Sequence, residues 1–442
     1  MANKKVPLRI AATVMNSLKG GVTPRIGLEY IAVGRSMEID ALLKDIDIVI
    51  DGGSSMRFIM GQYGSGKSFL LQTIRNYSME KGLVVMDCDL SPERRFSGSS
   101  KQGLATYKEL MANMSVKSKP EGGALPLILE KWISSIQAEV AVENPSLSLK
   151  DAKFEEIVSR KVYQIAGQME GKVKGFDFAI AINKYYHAYN NDDDVMKSKI
   201  LRWFRGEYNS KSEARTELGI NDAPSDLNWF DFINIFSLFM VKAGYTGLLV
   251  MVDEIVNIFR IHNKASRENN YEKILNMYNA ALQGTCSSLG IFMAGTPESI
   301  MDEHKGLFSY PALRSRLSES KFANASLKDL MGPIIKLEPL THEEMYVLME
   351  KLSEIHADLN NYAVSLTHDD LMYFLNAEYS RVGADTLITP REMIRDFIEI
   401  LNIIIQNPGT TISQILGSSD FVYADGNDPD GIVDDEFARF EI

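Results

Sequence analysis

The residues best suited to chemistry stand in an octapeptide between an apolar run and a helical pattern. Its spacing is G-x-x-x-x-G-K-S, and its members are Gly61, Gln62, Tyr63, Gly64, Ser65, Gly66, Lys67 and Ser68. Glycines at these positions let backbone N–H groups surround phosphates, the lysine reaches the outer phosphates, and the serine hydroxyl ligates Mg²⁺. Phe69 opens the helical pattern, whose positive N-terminus favours the same anion. The sequence therefore predicts a P-loop that binds a nucleotide; a plain strand-to-helix turn would leave the Lys-Ser pair unexplained.

A second apolar run ends in two acids that complement the P-loop. Residues 248–252 are apolar, and Asp253 and Glu254 follow them, which is the Walker B pattern. We expect Asp253 to hold Mg²⁺ through its water shell and Glu254 to orient and deprotonate the attacking water. A buried strand that ends in two carboxylates by chance is the alternative. The P-loop favours the catalytic interpretation, because a bound nucleotide needs a Mg²⁺ partner.

Length and composition limit the class of protein. A chain of 442 residues is too long for one ordinary core and predicts two or three compact units. Its formal charge of −12 disfavours strong non-specific binding to nucleic acid, although a local basic face is compatible with it. Cys88 and Cys286 lie in apolar or small-residue settings, which indicates buried thiols in a reducing compartment. With no signal-peptide pattern and no apolar run of membrane length, we expect a cytoplasmic protein.

The pattern of apolar residues predicts an α/β fold: a parallel sheet of the P-loop NTPase type, flanked by helices, with a large helical insertion and a C-terminal helical lid. Residues 46–50 are predicted as a strand, and Asp87 and Asp89 are placed at the end of another strand, where they cap or orient neighbours. The predicted units are a docking segment (1–30), the core (31–97 and 229–330), the insertion (98–228), the lid (331–410) and an acidic tail (411–442).

The insertion shows helical spacing at 125–142, 154–169, 176–189 and 195–205. The run from Leu201 to Tyr208 mixes aromatic and basic residues. Such a run binds nucleic acid or phosphate by stacking and charge, but an amphipathic helix that packs into a core has the same pattern. Both interpretations stay open at the level of sequence.

The order of the motifs along the chain resembles that of AAA+ ATPases, especially the branch related to origin-recognition proteins. Gly34 and Arg35, shortly before the P-loop, look like the segment that lies against the adenine in that family. Thr296 follows an apolar run and matches the sensor-1 position beside the γ-phosphate. The resemblance implies ATP and Mg²⁺ as ligands.

Three arginines complete the resemblance. Arg316 matches the arginine finger that a neighbouring subunit supplies, with Arg314 as the second candidate, and this implies a homo-oligomer. Arg391, in Pro390-Arg391-Glu392-Met393, resembles the sensor-2 arginine of the lid. Surface arginines at helix ends are common, so the finger could also be an ordinary surface residue.

The large insertion, together with segments such as Asp89-Leu90-Ser91-Pro92-Glu93-Arg94-Arg95, resembles the ATP-binding proteins of bacteriophage-exclusion (BREX) systems, which have a DUF2791-type P-loop domain. That resemblance implies a cytoplasmic ATPase encoded beside a helicase or other DNA-processing partner, with DNA reached directly or through that partner. The leading hypothesis is an oligomeric ATPase that remodels or loads the partner in anti-phage defence. The alternatives are a slowly hydrolysing nucleotide-dependent switch and a scaffold in which ATP is structural.

Overall fold

A computed structural model describes residues 5–148, 150–169, 174–318, 329–364, 366–381 and 389–417. The chain divides into two compact units, one formed by the residues up to Ile31 and from Thr341 onward, the other by Ala32–Leu340. From position 418 onward, the predicted acidic tail lies outside the described residues. No described helix is long and apolar enough to cross a membrane.

The strands are β1 (Ser54–Gly61), β2 (Val84–Asp89), β3 (Leu248–Asp253), β4 (Leu289–Gly295) and β5 (Ile334–Leu337). The helices are α1 (Leu8–Lys19), α2 (Leu28–Ile31), α3 (Ser36–Ile50), α4 (Lys67–Glu80), α5 (Gln102–Ala112), α6 (Leu125–Glu143), α7 (Ala152–Gly167), α8 (Gly175–Asn190), α9 (Asp194–Phe204), α10 (Lys211–Leu218), α11 (Trp229–Lys242), α12 (Val256–Phe259), α13 (Lys264–Leu282), α14 (Pro297–Met301), α15 (Pro311–Leu317), α16 (His342–Asn360), α17 (His368–Arg381), α18 (Pro390–Gln406) and α19 (Ile412–Leu416), with a short 3₁₀ turn at Leu307–Ser309.

The five strands form one parallel sheet in the order β2-β3-β4-β1-β5. Alternate side chains of each strand enter two separate cores, since successive residues of a strand point to opposite faces. Phe58 belongs to the core on one face and Ile59 to the core on the other, where α3 and α4 pack. Burial of both faces explains why the strands are short, almost continuous apolar runs, and it confirms the predicted parallel sheet.

The prediction of a strand at residues 46–50 was wrong, because these residues form the last turn and a half of α3. The buried positions of this helix recur at helical intervals: Glu38, Ala41, Leu42, Asp45, Ile46 and Val49. The buried Asp45 pairs with the buried Arg57 of β1, with 2.7 Å between Oδ2 and Nε. Glu38 and Asp45, two polar residues that obscured the helical pattern in the sequence, therefore face the interior.

The predicted insertion contains α5 to α10, and its helices share one continuous core with a face of the sheet. Trp203 and Phe204 are fully buried in that core. The Arg202 guanidinium lies 4.8 Å from the ring centre of Tyr208, and it also pairs with Glu213 at 3.3 Å. Packing and internal ion pairs therefore account for the aromatic and basic run, as the amphipathic-helix interpretation expected.

The smaller unit combines the two ends of the chain. Helix α1 packs on α16 and α18, and α2 also contacts α16. Two capping boxes begin α16 and α18, where Thr341 and Thr389 each accept a hydrogen bond from the backbone of a glutamate three residues later. The apolar pattern predicts three helices here, at roughly 342–359, 367–380 and 390–406, and α16, α17 and α18 lie within one residue of these bounds.

Candidate active site

The phosphate-binding loop joins β1 to α4 at the carboxyl end of the sheet. Gly64 and Gly66 have φ values of 77° and 89°, in the left-handed region that glycine adopts without steric cost. Gly61 is closely enclosed, since a Cβ there would lie 2.3 Å from Ser65 Oγ. The first-turn N–H groups of α4 have no acceptor within the helix, so the loop presents donors and a positive helix end to an anion.

Lys67 is buried and holds the loop in shape. Its Nζ donates to the carbonyl oxygens of Gly61 and Gln62, both at 2.9 Å. The ammonium also lies 5.4 Å from the ring centre of Tyr63, which is 54% exposed on the outer side of the loop. These two hydrogen bonds hold the ammonium inside the loop. Phosphate oxygens of a bound nucleotide can replace the two carbonyl oxygens as acceptors.

Arg35 supports the same loop from the predicted adenine-side segment. The preceding Gly34 has φ +69°, which lets the chain turn into α3 and leaves Arg35 buried. The guanidinium donates to the carbonyl of Ser65 at 3.0 Å and to the carbonyl of Glu338 at 2.5 Å. Arg35 thus links the phosphate-binding loop to the chain that follows β5.

The P-loop and the Asp-Glu pair meet through Ser68. Its Oγ donates to Asp253 Oδ2 at 2.6 Å, while Asp253 Oδ1 accepts from the backbone N–H of Glu254 at 2.8 Å. A hydroxyl and a carboxylate in contact fit Mg²⁺, which takes one or two carboxylates together with waters and nucleotide phosphates. The described part of the chain contains no cluster of three or more His, Cys, Asp or Glu that could hold a metal by themselves.

Glu254 has an unusual backbone conformation and environment. Its φ is +60°, a left-handed conformation that is costly for a residue other than glycine and is often found at functional sites. Burial raises the pKa of its carboxyl, and the negative charges of Asp253 and Asp89 raise it further, whereas Lys67 and Arg260 lower it. A carboxylate with a raised pKa is a better acceptor for a proton from water.

The two acids of β2 have different surroundings. Asp89 lies opposite Asp253 in the parallel register, and burial together with that neighbouring charge raises its pKa. Asp87 Oδ1 instead accepts a 2.9 Å bond from Arg75 of α4, so it orients the P-loop helix. Asp89 therefore lies beside Asp253 at the carboxyl edge of the sheet, and Asp87 is bonded to the P-loop helix.

Thr296 follows β4, which lies between β1 and β3 in the sheet. Because Met60 pairs with Gly295, the residue after β4 is adjacent to the start of the P-loop. Thr296 is buried, and its Oγ1 accepts a hydrogen bond from Ser299 N as the cap of α14. Thr296 therefore lies at the sheet edge between the strand that ends at Asp253 and the P-loop.

The candidate arginines lie outside these contacts. Arg316 is exposed, and its guanidinium donates to Asn279 Oδ1 and to the carbonyl of Ala312, each at 2.9 Å. Arg314 forms an ion pair with Glu303. Arg391 is the second residue of α18, in the other compact unit, and is exposed.

Two arginines near the site were not singled out from the sequence. Arg260 follows the one-turn helix α12 after the Asp-Glu pair, and its Nη2 lies 3.4 Å from Tyr63 Oη. Arg75 belongs to the P-loop helix α4 and is almost fully buried. Its spacing of eight residues from Lys67 places it two turns further along α4, but no local pattern indicates its partners.

A parallel sheet, a glycine loop held by its own lysine and a Ser-Asp contact at the sheet edge together define a protein of the P-loop NTPase type. The chain belongs to the family of BREX system ATP-binding proteins BrxC/D, whose sequence profile matches residues 6–420. The predicted resemblance to the BREX ATP-binding proteins is thereby confirmed. A search of curated proteins found no match.

Proposed function

We propose that the chain is an AAA+-like ATPase that hydrolyses ATP to remodel or load a DNA-processing partner in BREX anti-phage defence. It acts in the cytoplasm as a homo-oligomer, and it reaches DNA directly or through a helicase or other defence protein. Family membership supports ATP and phage defence, while the ATPase reaction is inferred from the site. The observation that carries the inference is the 2.6 Å contact between Ser68 Oγ and Asp253 Oδ2, with Glu254 next in the chain.

The proposed roles follow from where each group lies. The P-loop N–H groups and Lys67 bind the phosphates, and Ser68 and Asp253 hold Mg²⁺, which neutralises phosphate charge when it is bound. Glu254 orients a water whose oxygen bonds to the γ-phosphorus as the bond to the β,γ-bridging oxygen breaks. The proton of that water passes to Glu254, and ADP and phosphate are released. Thr296 is proposed to contact the γ-phosphate.

The proposed role of Arg316 needs a neighbouring subunit, and that of Arg391 needs a movement of the lid. Arg316 of one subunit is proposed to complete the site of the next, since it is exposed on a short helix. A positive charge supplied in trans stabilises the charge that develops on the transferred group. Arg391 is proposed to bind the nucleotide from the lid and to couple lid position to nucleotide state.

Glu254→Gln tests the reaction directly. We expect this variant to bind ATP with an affinity near that of the unaltered chain and to lose at least about 100-fold in single-turnover rate, the scale of general acid–base catalysis. Glu156→Gln, on the exposed face of α7, is the matched control. If Glu254→Gln hydrolyses ATP as fast as this control, the proposed reaction at this site is wrong.

A further inference from the structure

Arg260 occupies a position that the proposed mechanism leaves without a role. It ends the single turn of α12, which begins two residues after Glu254, and the Arg260 N–H is bonded to Val256 O at 3.0 Å. This short helix fixes the backbone of Arg260 relative to the catalytic glutamate. The side chain itself is exposed and is able to reorient.

One tyrosine separates the Arg260 guanidinium from Lys67. The ring of Tyr63 has the Lys67 ammonium 5.4 Å from its centre, and its hydroxyl oxygen lies 3.4 Å from Arg260 Nη2. Two cations are thus placed at opposite ends of a single side chain on the phosphate-binding loop. At 3.4 Å the hydrogen bond between arginine and tyrosine is long and weak, so little is lost when the guanidinium leaves it.

Three other arginines of the larger unit lie closer to their acceptors than Arg260 lies to Tyr63. Arg35 binds two backbone carbonyls, Arg314 pairs with Glu303, and Arg75 pairs with Asp87. Within the described residues, by contrast, the side-chain partner of Arg260 is a neutral phenol. The charge of Arg260 lowers the pKa of Glu254, but the guanidinium forms no ion pair with a described carboxylate. An arginine beside an acidic edge with such a weak hydrogen bond is suited to bind an anionic ligand.

We propose that Arg260 is a catalytic arginine of the ATP site supplied in cis, which leaves Tyr63 and binds the γ-phosphate as its negative charge develops. This inference rests on the proposed ATPase function. The guanidinium takes part in no bond change: water adds to the γ-phosphorus, the bridging oxygen leaves with ADP, and Glu254 takes the proton. Tyr63 is a positioning residue that holds Arg260 over the loop before the nucleotide enters.

The test compares Arg260→Ala, Arg260→Lys and Tyr63→Phe with the unaltered chain, with Glu254→Gln and with Arg160→Ala on α7 as a surface control. Single-turnover hydrolysis, ATP affinity and trapping of ADP with aluminium fluoride are measured for every protein at the same series of concentrations. Thermal melting confirms that each variant is folded.

We expect Arg260→Ala to hydrolyse ATP about 100- to 1,000-fold more slowly, the usual effect of removing one donor to transition-state charge. Its ATP affinity should stay within about tenfold, and trapping of ADP with aluminium fluoride should be lost. Arg260→Lys should recover part of the rate, and Tyr63→Phe should lose no more than about threefold, the low end for one neutral hydrogen bond, because this bond is long. Combining Tyr63→Phe with Arg260→Ala should add no further loss, because both changes act through the same group.

Three results would overturn the proposal. If Arg260→Ala hydrolyses ATP within threefold of the unaltered chain while Glu254→Gln is inactive, the ATPase function stands and the role of Arg260 is wrong. A loss of ATP affinity as large as the loss of rate would make Arg260 a ground-state binding residue instead. Absence of hydrolysis by the unaltered chain at every concentration would reject both the proposed function and this role.

Discussion

The guanidinium of Arg35 lies 3.0 Å from the carbonyl oxygen of Ser65, so the segment before the sheet is bonded directly to the phosphate-binding loop. The same side chain also reaches the carbonyl of Glu338 after β5. Arg35 therefore connects the phosphate-binding loop to residues near both ends of the larger unit.

Arg35→Ala is predicted to weaken ATP binding by about tenfold to 100-fold, because hydrogen bonds from a charged group contribute about 1.5–3 kcal/mol. Arg35→Lys should not restore the affinity, since an ammonium lacks the planar fork that reaches two acceptors. Isothermal titration with ATP measures both variants. An unchanged dissociation constant in Arg35→Ala would show that the loop keeps its shape without this contact.

Removal of Mg²⁺ should act through Ser68 and Asp253. For the unaltered chain we expect ATP to bind more weakly when Mg²⁺ is chelated, because the cation neutralises phosphate charge in the site. Ser68→Ala and Asp253→Asn should each lose most of that difference, whereas Ser135→Ala on α6 should keep it. The measurement is ATP affinity with Mg²⁺ and with chelator. If Asp253→Asn retains the full Mg²⁺ effect, another group must hold the cation.

Arg75 is predicted to be a structural connection between the P-loop helix and the insertion. Its guanidinium binds Asp87 at 2.9 Å, Ser115 Oγ at 2.7 Å and the carbonyl of Pro120 at 2.6 Å. Arg75 is buried and Asp87 is half-buried, so removal of the guanidinium should cost about 2–3 kcal/mol, at or below the lower end for a fully buried ion pair. We therefore expect Arg75→Ala to lower the free energy of unfolding by about that amount.

Hydrogen exchange locates the effect of this variant. The Ser115 N–H donates to the carbonyl of Val85 at 2.8 Å, and Arg75→Ala should speed its exchange. The exposed pair Arg160–Glu156 supplies the control, because Arg160→Ala should change stability by less than about 1 kcal/mol. Slow exchange of Ser115 in Arg75→Ala would contradict the proposed connection.

His356 should make the smaller unit less stable in acid. Burial lowers the pKa of its imidazole below the ordinary value of 6.5, although a hydrogen bond with Asn402 opposes this shift. Since the folded state favours the neutral ring, the stability that the ring contributes is full above pH 6.5. It is lost as the pH falls from 6.5 through the lower folded-state pKa, with a slope of up to about 1.4 kcal/mol per pH unit.

His356→Gln tests this dependence, because glutamine keeps a donor and an acceptor but does not titrate. Denaturant unfolding of both chains between pH 7.5 and 5 should show an extra loss of stability in the unaltered chain. The assignment predicts a neutral ring between Tyr362 Oη at 2.9 Å and Asn402 Oδ1 at 3.3 Å. Identical pH dependence in the two chains would mean that His356 does not titrate in this range.

Features that depend on short stretches of sequence could be predicted, and those that depend on distant partners could not. The P-loop and the strand ending at Asp253 are local patterns of glycine, lysine and apolar residues, and they form as expected. Residues 46–50 misled the prediction because Asp47 alternates with apolar neighbours as in a strand, while the helical repeat extends over the preceding turns. The pairing of Arg57 with Asp45 could be recognised only once the fold was known.

The same reasoning explains which parts of the candidate site were missed. The contact between Tyr63 and Arg260 joins residues 197 positions apart, and α12 is a single turn with too few residues to show a periodic pattern. The buried contacts of Arg75 likewise reach residues 40 and 45 positions away. Side chains whose role depends on such contacts have no local signal in the sequence.

The proposed ATP site hydrolyses nucleotide with help from a neighbouring subunit. The most direct test measures ATP turnover per chain over a range of protein concentration, for the unaltered chain and for Glu254→Gln mixed with Arg316→Ala. Turnover per chain should rise with concentration. The mixture should regain activity that neither variant has alone, because an Arg316→Ala subunit keeps Glu254 and receives an intact Arg316 from its neighbour. Turnover that is independent of concentration, with no recovery in the mixture, would contradict the shared site.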